Sequence, residues 1–399
     1  MSHSSHNWGE PPWEIDFHPP KLRTLPKAVD FAIVGGGFAG LAAAAWLRLL
    51  APEKSVAVLE AFAIGAGASG RTGGMALAET AAGDQPGLGD VLAGFKKIQK
   101  QLRVKCDLNL GGAWEIGRSG GLEHSPISWS DSGTLRVVKE VPGGTLDPGK
   151  LVSGLARAAH RRGAVIYEHH RVTNIAWGPI PELELEVVRP SGRPKTPSRT
   201  RTVRLRAGKI LFATNALSLD LNGLANGTHA RLTLAAITNP VKESLLREIG
   251  LDSRKPFYTV DFPYLWGRVR KDRSLIWGAG LVQSPDSEDL EAVDVTAEEP
   301  AAIFARLEDR VRHLHPALAG IEFTARWGGP ILFRESSKPV FGWHPKSGAK
   351  AANGLVLGAF AGHGVALSSY FGAWAAEVLL GRRRPPKWGA IGARGEVES

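Results

Sequence analysis

Three glycines, Gly35, Gly37 and Gly40, stand in the spacing G-x-G-x-x-G between an apolar run and an Ala- and Leu-rich stretch. In that spacing the first glycine permits a tight turn. The second lets backbone approach a pyrophosphate, and the third lets a helix pack closely on a strand. A helix beginning there points free N–H groups and a partial positive charge at phosphates. Glu60 lies twenty residues past Gly40, at the end of the next apolar run. A carboxylate at that place accepts hydrogen bonds from a ribose diol and repels a 2′-phosphate. An incidental glycine turn is disfavoured because every element occurs in order. Three more stretches suit a long phosphate-bearing ligand: AFAIGAGASGRTGGMA at 61–76, which carries Arg71, KILFATNA at 209–216, and GAFAGHGVAL at 358–367. Contacts spread over the whole chain fit an extended FAD better than a nicotinamide cofactor, which uses one compact half.

Regular elements must carry these residues. Val29–Val34 has the length and composition of a buried parallel strand, residues 38–50 suit a helix, Pro52 stops it, and Val56–Leu59 reads as the second strand of a βαβ unit. An amphipathic helix is expected at 87–105, short strands at 113–138, and a helix at 148–162 with Pro148 near its start. A strand at 164–167 follows, and residues 171–213 alternate like an antiparallel meander whose turn is RPSGRPKTPSRT. The segment PYLWGRVRKDRSLIWGAG reads as a hairpin turning at Lys271, Asp272 and Arg273. A helix is expected near 297–314, and at the C-terminal end a strand, the loop GHG and a helix at 365–380.

Composition bounds the alternatives. With 399 residues, 43% hydrophobic and 22% charged, the chain has ordinary globular composition and room for two or three domains. The net charge of +10 invites nucleic acid, yet residues 189–209 hold eight basic side chains and no acid, leaving +2 for the rest. No aromatics interleave there to stack on bases, so a solvated hairpin is favoured over an RNA or lipid site. Cys106 is the single cysteine, which excludes an internal disulfide and a thiolate zinc site. His3, His6, His169 and His170 lack metal-ligand spacing and are expected near the surface, and no metal is expected. The N-terminus has no apolar signal core, and the apolar stretches 31–51 and 354–380 each split into a strand and a helix, so a cytoplasmic protein without a membrane span is expected.

The motifs VDFAIVGGGFAGLAAA, LEAFAIGAGASGRTGG, GGTLDPGKLVSGLARAAHRRGAVIYEHHRVTNI, ILFATNA, RWGGP and FAGHGVALS together resemble the D-amino-acid oxidase superfamily of FAD-dependent oxidoreductases, of the glycine, sarcosine and gamma-glutamylputrescine oxidase type. The resemblance implies an α/β fold. A Rossmann-like FAD-binding domain (28–85, 145–225 and 325–385) would interleave with a smaller α+β substrate domain on a mixed or antiparallel sheet (86–144 and 226–324), between an arm at 1–27 and a tail at 386–399. It further implies FAD held by Gly35, Gly37, Phe38, Ala39, Gly40, Glu60 and Ala61, with Ser69, Gly70, Arg71, Gly73 and Gly74 near pyrophosphate and flavin. Val172 would face the adenine, Ala213 and Thr214 the ribitol phosphate, and Gly362, His363, Gly364 and Val365 the flavin's pyrimidine edge. Relatives that bind flavin covalently use a C-terminal cysteine or a histidine. Cys106 lies far from that motif, so FAD is expected to be noncovalent.

Such enzymes oxidise a C–N bond by hydride transfer to flavin N5, giving an imine that water hydrolyses. A pocket for a small amine or amino acid needs aromatics, and an arginine to clamp a carboxylate. Alternation puts Tyr264, Trp266 and Arg268 on one face of the hairpin, with Tyr258 on the neighbouring strand. Arg334 follows RWGGP, and His363 lies between two glycines. A floor above a flavin and a half-exposed rim remain equal readings for Arg268, and Tyr258, Tyr264, Arg334 and His363 complete the candidates. O2, giving H2O2, is the expected acceptor. The lysine that sarcosine-oxidase types use with oxygen has no counterpart in Leu275, Ile276 and Trp277, which keeps open a dehydrogenase with a quinone or electron-transfer acceptor. A noncatalytic flavin-stabilised or RNA-associated protein is the alternative of another class.

Overall fold

The computed structural model describes residues 6–20, 24–80, 82–189, 199–282, 290–347 and 352–391. Two eight-stranded sheets dominate it. At the centre of the first, Ala28–Val34 pairs in parallel with Val56–Leu59 on one side and with Arg199–Phe212 on the other. Val165–Tyr167 and Gly354–Gly358 extend the parallel set. The apolar run at 31–34 is continuous because both faces of this strand are covered. Phe31 and Ile33 enter the core beneath the helices, while Ala32 and Val34 enter the core on the other side.

Small residues set the helix packing. A Cβ on Gly40 would lie 2.0 Å from the Gly35 carbonyl oxygen, so only glycine lets the helix Phe38–Leu50 start against the strand. Where this helix meets Gly364–Leu379, a Cβ on Gly372 would lie 2.3 Å from the Ala39 carbonyl. Pro148 begins the helix Pro148–Arg161, and the Asp147 carboxylate caps it by accepting from Lys150 N at 2.9 Å. The meander folds as expected: Glu182–Arg189 pairs antiparallel with both His170–Ala176 and Arg199–Phe212. The basic tip at 190–198 lies outside the described residues.

The second sheet is built from Ala113–Gly117, Trp129–Ser130, Thr134–Val141, Thr228–Thr238, Phe257–Thr259, Trp266–Val269, Leu275–Val282 and Phe323–Arg334. It is mixed, since Phe257–Thr259 runs parallel to Ala113–Gly117 within an otherwise antiparallel array. Its strand Phe323–Arg334 carries RWGGP, so the third stretch feeding the first sheet begins beyond Arg334 and not at residue 325. On one face Trp129, Phe257 and Trp277 pack ring on ring with the buried side of the helix Glu298–Leu314. Alternation therefore turns Glu115, Tyr258, Trp266, Arg268 and Ile276 to the other face. That face meets the 71–74 segment, where the Trp266 ring fills the space a Cβ on Gly73 would need.

The N-terminal residues are more than a loose arm. Trp8 is fully buried and donates from Nε1 to the Leu290 carbonyl, and His6, which is buried and not at the surface, stacks on it at 4.0 Å. Gly9 bridges to Trp327, and Trp13 donates to the Thr72 carbonyl. Tryptophans in a polar arm were the sequence signal for this docking.

Candidate functional site

The loop edge of the first sheet opens into a groove lined by Gly35, Gly37, Glu60, Ala61, Ser69, Val172, Ala213 and Thr214, which three distant parts of the chain bring together. Gly35 has φ +109°, a left-handed value, and a Cβ there would meet the Ala213 carbonyl at 2.7 Å. A Cβ on Gly37 would sit 2.7 Å from Ser69 Oγ, which accepts from Phe38 N at 2.9 Å. The N–H groups of Gly37 and Ala39 have no acceptor among the described residues. Gly37 is the N-cap of the helix Phe38–Leu50 and supplies no capping side chain. An anion is the partner such a helix start lacks.

Glu60 is held from both sides. Its Oε2 accepts from Gly36 N at 2.7 Å and its Oε1 from Phe62 N at 3.0 Å. Each oxygen keeps lone-pair capacity for a hydroxyl donor. Burial lifts the Glu60 carboxyl above its ordinary range, against the two N–H groups and Arg171 that favour the anion. A diol donating to this carboxylate would replace the water that burial removes. The glycine cradle, the open N–H groups and the half-used carboxylate together fit FAD.

Several lining residues lie beyond the expected site residues. His170, expected at the surface, lines the groove, as do Arg171 and Glu291. Arg171 makes a two-pronged ion pair with Glu291, both N–O distances 2.9 Å, and lies over the Phe62 ring at 4.7 Å. Asn215 has φ +50°, and its Oδ1 accepts from Ala359 N at 3.0 Å, which ties ATNA to the last strand's exit. Asn in a left-handed turn was the legible signal there.

Arg71 is elsewhere. Its guanidinium is buried and donates to the carbonyls of Ala66, Trp8, Gly9 and Gly328, with its charge over the Trp8 ring. Burial brings its pKa down to about 10. It clamps the arm instead of lining the groove, because five N–H donors withdrawn from water satisfy carbonyls wherever they meet them. Phe38, Ala39, Gly40, Gly70, Gly73 and Gly74 also stand outside the groove lining.

The loop Gly362, His363, Gly364 and Val365 starts the helix Gly364–Leu379 and is not part of the groove's lining. Ala359 and Ala361 hold φ +56° and +47°, left-handed values that cost a non-glycine residue about 1–2 kcal/mol each. The Ala361 N–H donates to the Leu332 carbonyl at 3.1 Å, and His363 Nδ1 pairs with the Ala361 carbonyl at 2.9 Å. Burial depresses the His363 pKa, so the neutral ring donates from Nδ1 and leaves Nε2 as an acceptor.

On the facing sheet Tyr258 donates to Glu115 Oε1 at 2.9 Å, and burial, reinforced by that bond, raises the phenol's pKa. Both candidate arginines are partly committed to backbone carbonyls. Arg268 gives Nη1 to the carbonyls of Gly73, Gly74 and Leu146, and Arg334 donates to the Ala390 carbonyl. The strand begins at Trp266, so Tyr264 sits in the preceding loop, 42% exposed, rather than on the sheet face with Arg268. Among the described residues no cluster of His, Cys, Asp and Glu could hold a metal, and no helix is long and apolar enough to cross a membrane.

Residues 30–378 match the protein family described as FAD dependent oxidoreductase, DAO. Gamma-glutamylputrescine oxidoreductase of Escherichia coli K12 is 26% identical over 405 residues, covering 90% of this chain and 85% of the relative. The probable oxidoreductase OrdL of Rhizobium meliloti 1021 is 24% identical, covering 89% and 84%. Among solved structures, glycine oxidase from Geobacillus kaustophilus superposes with a TM-score of 0.64 at 19% identity, covering 90% of this chain and 96% of its own. L-Amino acid deaminase from Proteus myxofaciens gives 0.68 at 14%, covering 98% and 99%. Both structures share the fold.

Proposed function

The chain belongs to the DAO family of FAD-dependent oxidoreductases, and from that premise we propose that it oxidises the C–N bond of a small amine or amino acid, with noncovalently held FAD. The observation that carries this reading is the glycine-cradled groove with its anchored Glu60, which fits FAD. The gamma-glutamylputrescine oxidoreductase among the relatives supports an amine substrate. Cys106 is buried, and burial pushes its thiol up to about 12, so it offers no reactive thiolate for a flavin bond.

In the holoenzyme the glycine loop's N–H groups and Glu60 would hold the pyrophosphate and a ribose. The flavin, when bound, supplies the hydride acceptor. An amine must lose its ammonium proton before its α-hydrogen leaves as hydride. His363 Nε2 is an acceptor available to that proton at neutral pH, because Nδ1 keeps its own on Ala361. Tyr258, its hydroxyl fixed by Glu115, stays protonated and orients the substrate by donating or accepting one hydrogen bond. The last helix begins beside His363, so its N-terminal partial charge favours anionic character at the site.

Release of ammonia or a shortened amine, together with a carbonyl product trapped by a hydrazine, tests the reading. Absence of both from every amine and amino acid offered would refute it. Leu275, Ile276 and Trp277 are buried and hold no lysine, which favours a quinone or electron-transfer acceptor as the second reading. Stoichiometric peroxide in air would decide for the oxidase, and turnover only with an added quinone for the dehydrogenase.

A further inference from the structure

A second cavity, of about 440 Å³, shares no lining residue with the cofactor groove. It lies where the turn between Trp266–Val269 and Leu275–Val282 meets the start of the helix Pro148–Arg161. Its charged lining holds five cations and three carboxylates. One of the cations is Arg268, which is only 7% exposed.

The guanidinium of Arg268 is used on one side only. Nη1 serves three carbonyls, those of Gly73, Gly74 and Leu146, at 2.7–3.1 Å. Nε is buried with no hydrogen-bond partner, and Nη2 makes no hydrogen bond among the described residues. These two atoms form the side-on edge of the guanidinium, the fork that takes a carboxylate through two parallel hydrogen bonds. The guanidinium carbon lies over the Trp13 ring, 5.5 Å from its centroid. Burial already brings the Arg268 pKa down to about 10, the mark of a cation without its anion.

Two further cations stand at the cavity's rim. Lys150 and Lys271 share one carboxylate, Asp107, at 2.7 and 3.0 Å. Asp147 is committed to capping Lys150 N, and Asp272 pairs with Arg270. Arg254 is neutralised by Glu243, outside the cavity lining.

We propose that this cavity is a binding site for a small dicarboxylate, one end on the Nε–Nη2 edge of Arg268 and the other on Lys150 and Lys271. The site is independent of the amine chemistry, since it stands on different residues. Its inner wall is nevertheless the same arginine that fixes the Gly73 and Gly74 carbonyls.

Isothermal titration of the FAD-loaded protein with glutarate tests the assignment, with inorganic phosphate as the comparison anion. One equivalent of glutarate per chain is expected, bound more tightly than phosphate. Arg268→Lys keeps the charge and removes the fork, and should weaken glutarate at least about ten-fold. The double variant Lys150→Met/Lys271→Met touches only the cavity's cationic rim, and keeps the test decisive if Arg268→Lys fails to fold. It should lose several-fold in affinity with flavin content unchanged. The proposal is overturned by no binding of glutarate, by phosphate binding more tightly, or by unchanged glutarate affinity in the double variant. A glutarate-induced flavin absorbance change that persists in that variant would place the anion at the flavin and also overturn it.

Discussion

The cofactor groove and the opposing sheet face are built from different material. Gly35, Gly36, Gly37 and Ala213 line the groove with backbone, and Glu60 is anchored among them by two N–H groups. The sheet face presents side chains: Glu115, Tyr258, Trp266 and Arg268. A backbone-built site leaves little choice of residue, because a Cβ at 2.0–2.7 Å from a backbone carbonyl, as at Gly40 and Gly35, forces the backbone to shift. A side-chain face tolerates many solutions, and an arginine there can be a clamp or a strut with the same local sequence.

The largest effect separates these regions at Gly40. Gly40→Ala drives a Cβ into the Gly35 carbonyl and should abolish flavin loading, read as the ratio of flavin to protein absorbance. Normal loading would mean that the helix start is not what the groove depends on. Arg71→Met comes next. It strands four buried carbonyls and should cost about 3–5 kcal/mol in urea unfolding, with proteolysis opening the arm near Trp8 and Trp13. Unchanged stability with a large loss of FAD affinity would restore Arg71 to the pyrophosphate. Tyr258→Phe should lower kcat/KM by about ten- to a hundred-fold while flavin content holds. Equal loss of flavin would make Tyr258 part of the fold instead.

The smallest effect is a pH slope. The Glu60 carboxyl is raised in the folded chain, so without FAD it favours folding below its ordinary pKa of 4.5, and that contribution fades as pH rises through the raised value. Glu60→Gln should remove this fall in thermal stability toward neutral pH and weaken FAD by about 1–3 kcal/mol. An identical pH profile in both proteins would place Glu60 in water.

The contrast also explains what could be read without coordinates. The βαβ unit was legible because Val29–Val34, the glycines and Glu60 obey geometric rules that leave few substitutes. The meander was legible from strict alternation, although RWGGP, expected in the cofactor domain, pairs in the second sheet. For Arg71, Arg268 and Arg334 sequence reveals a cation and not the carbonyls it will meet. Tyr264 was misplaced because the strand starts two residues later, at Trp266. Arg171, Glu291 and His170 were missed since nothing in their spacing marks a groove assembled from residues 120 positions apart.

A crystal structure of the FAD-bound protein tests the central claim most directly. Ribose hydroxyls on Glu60 and pyrophosphate oxygens on the N–H groups of Gly37 and Ala39 are expected, with Arg71 still on Trp8, Gly9 and Gly328. Pyrophosphate bound by Arg71, with Glu60 facing solvent, would contradict it.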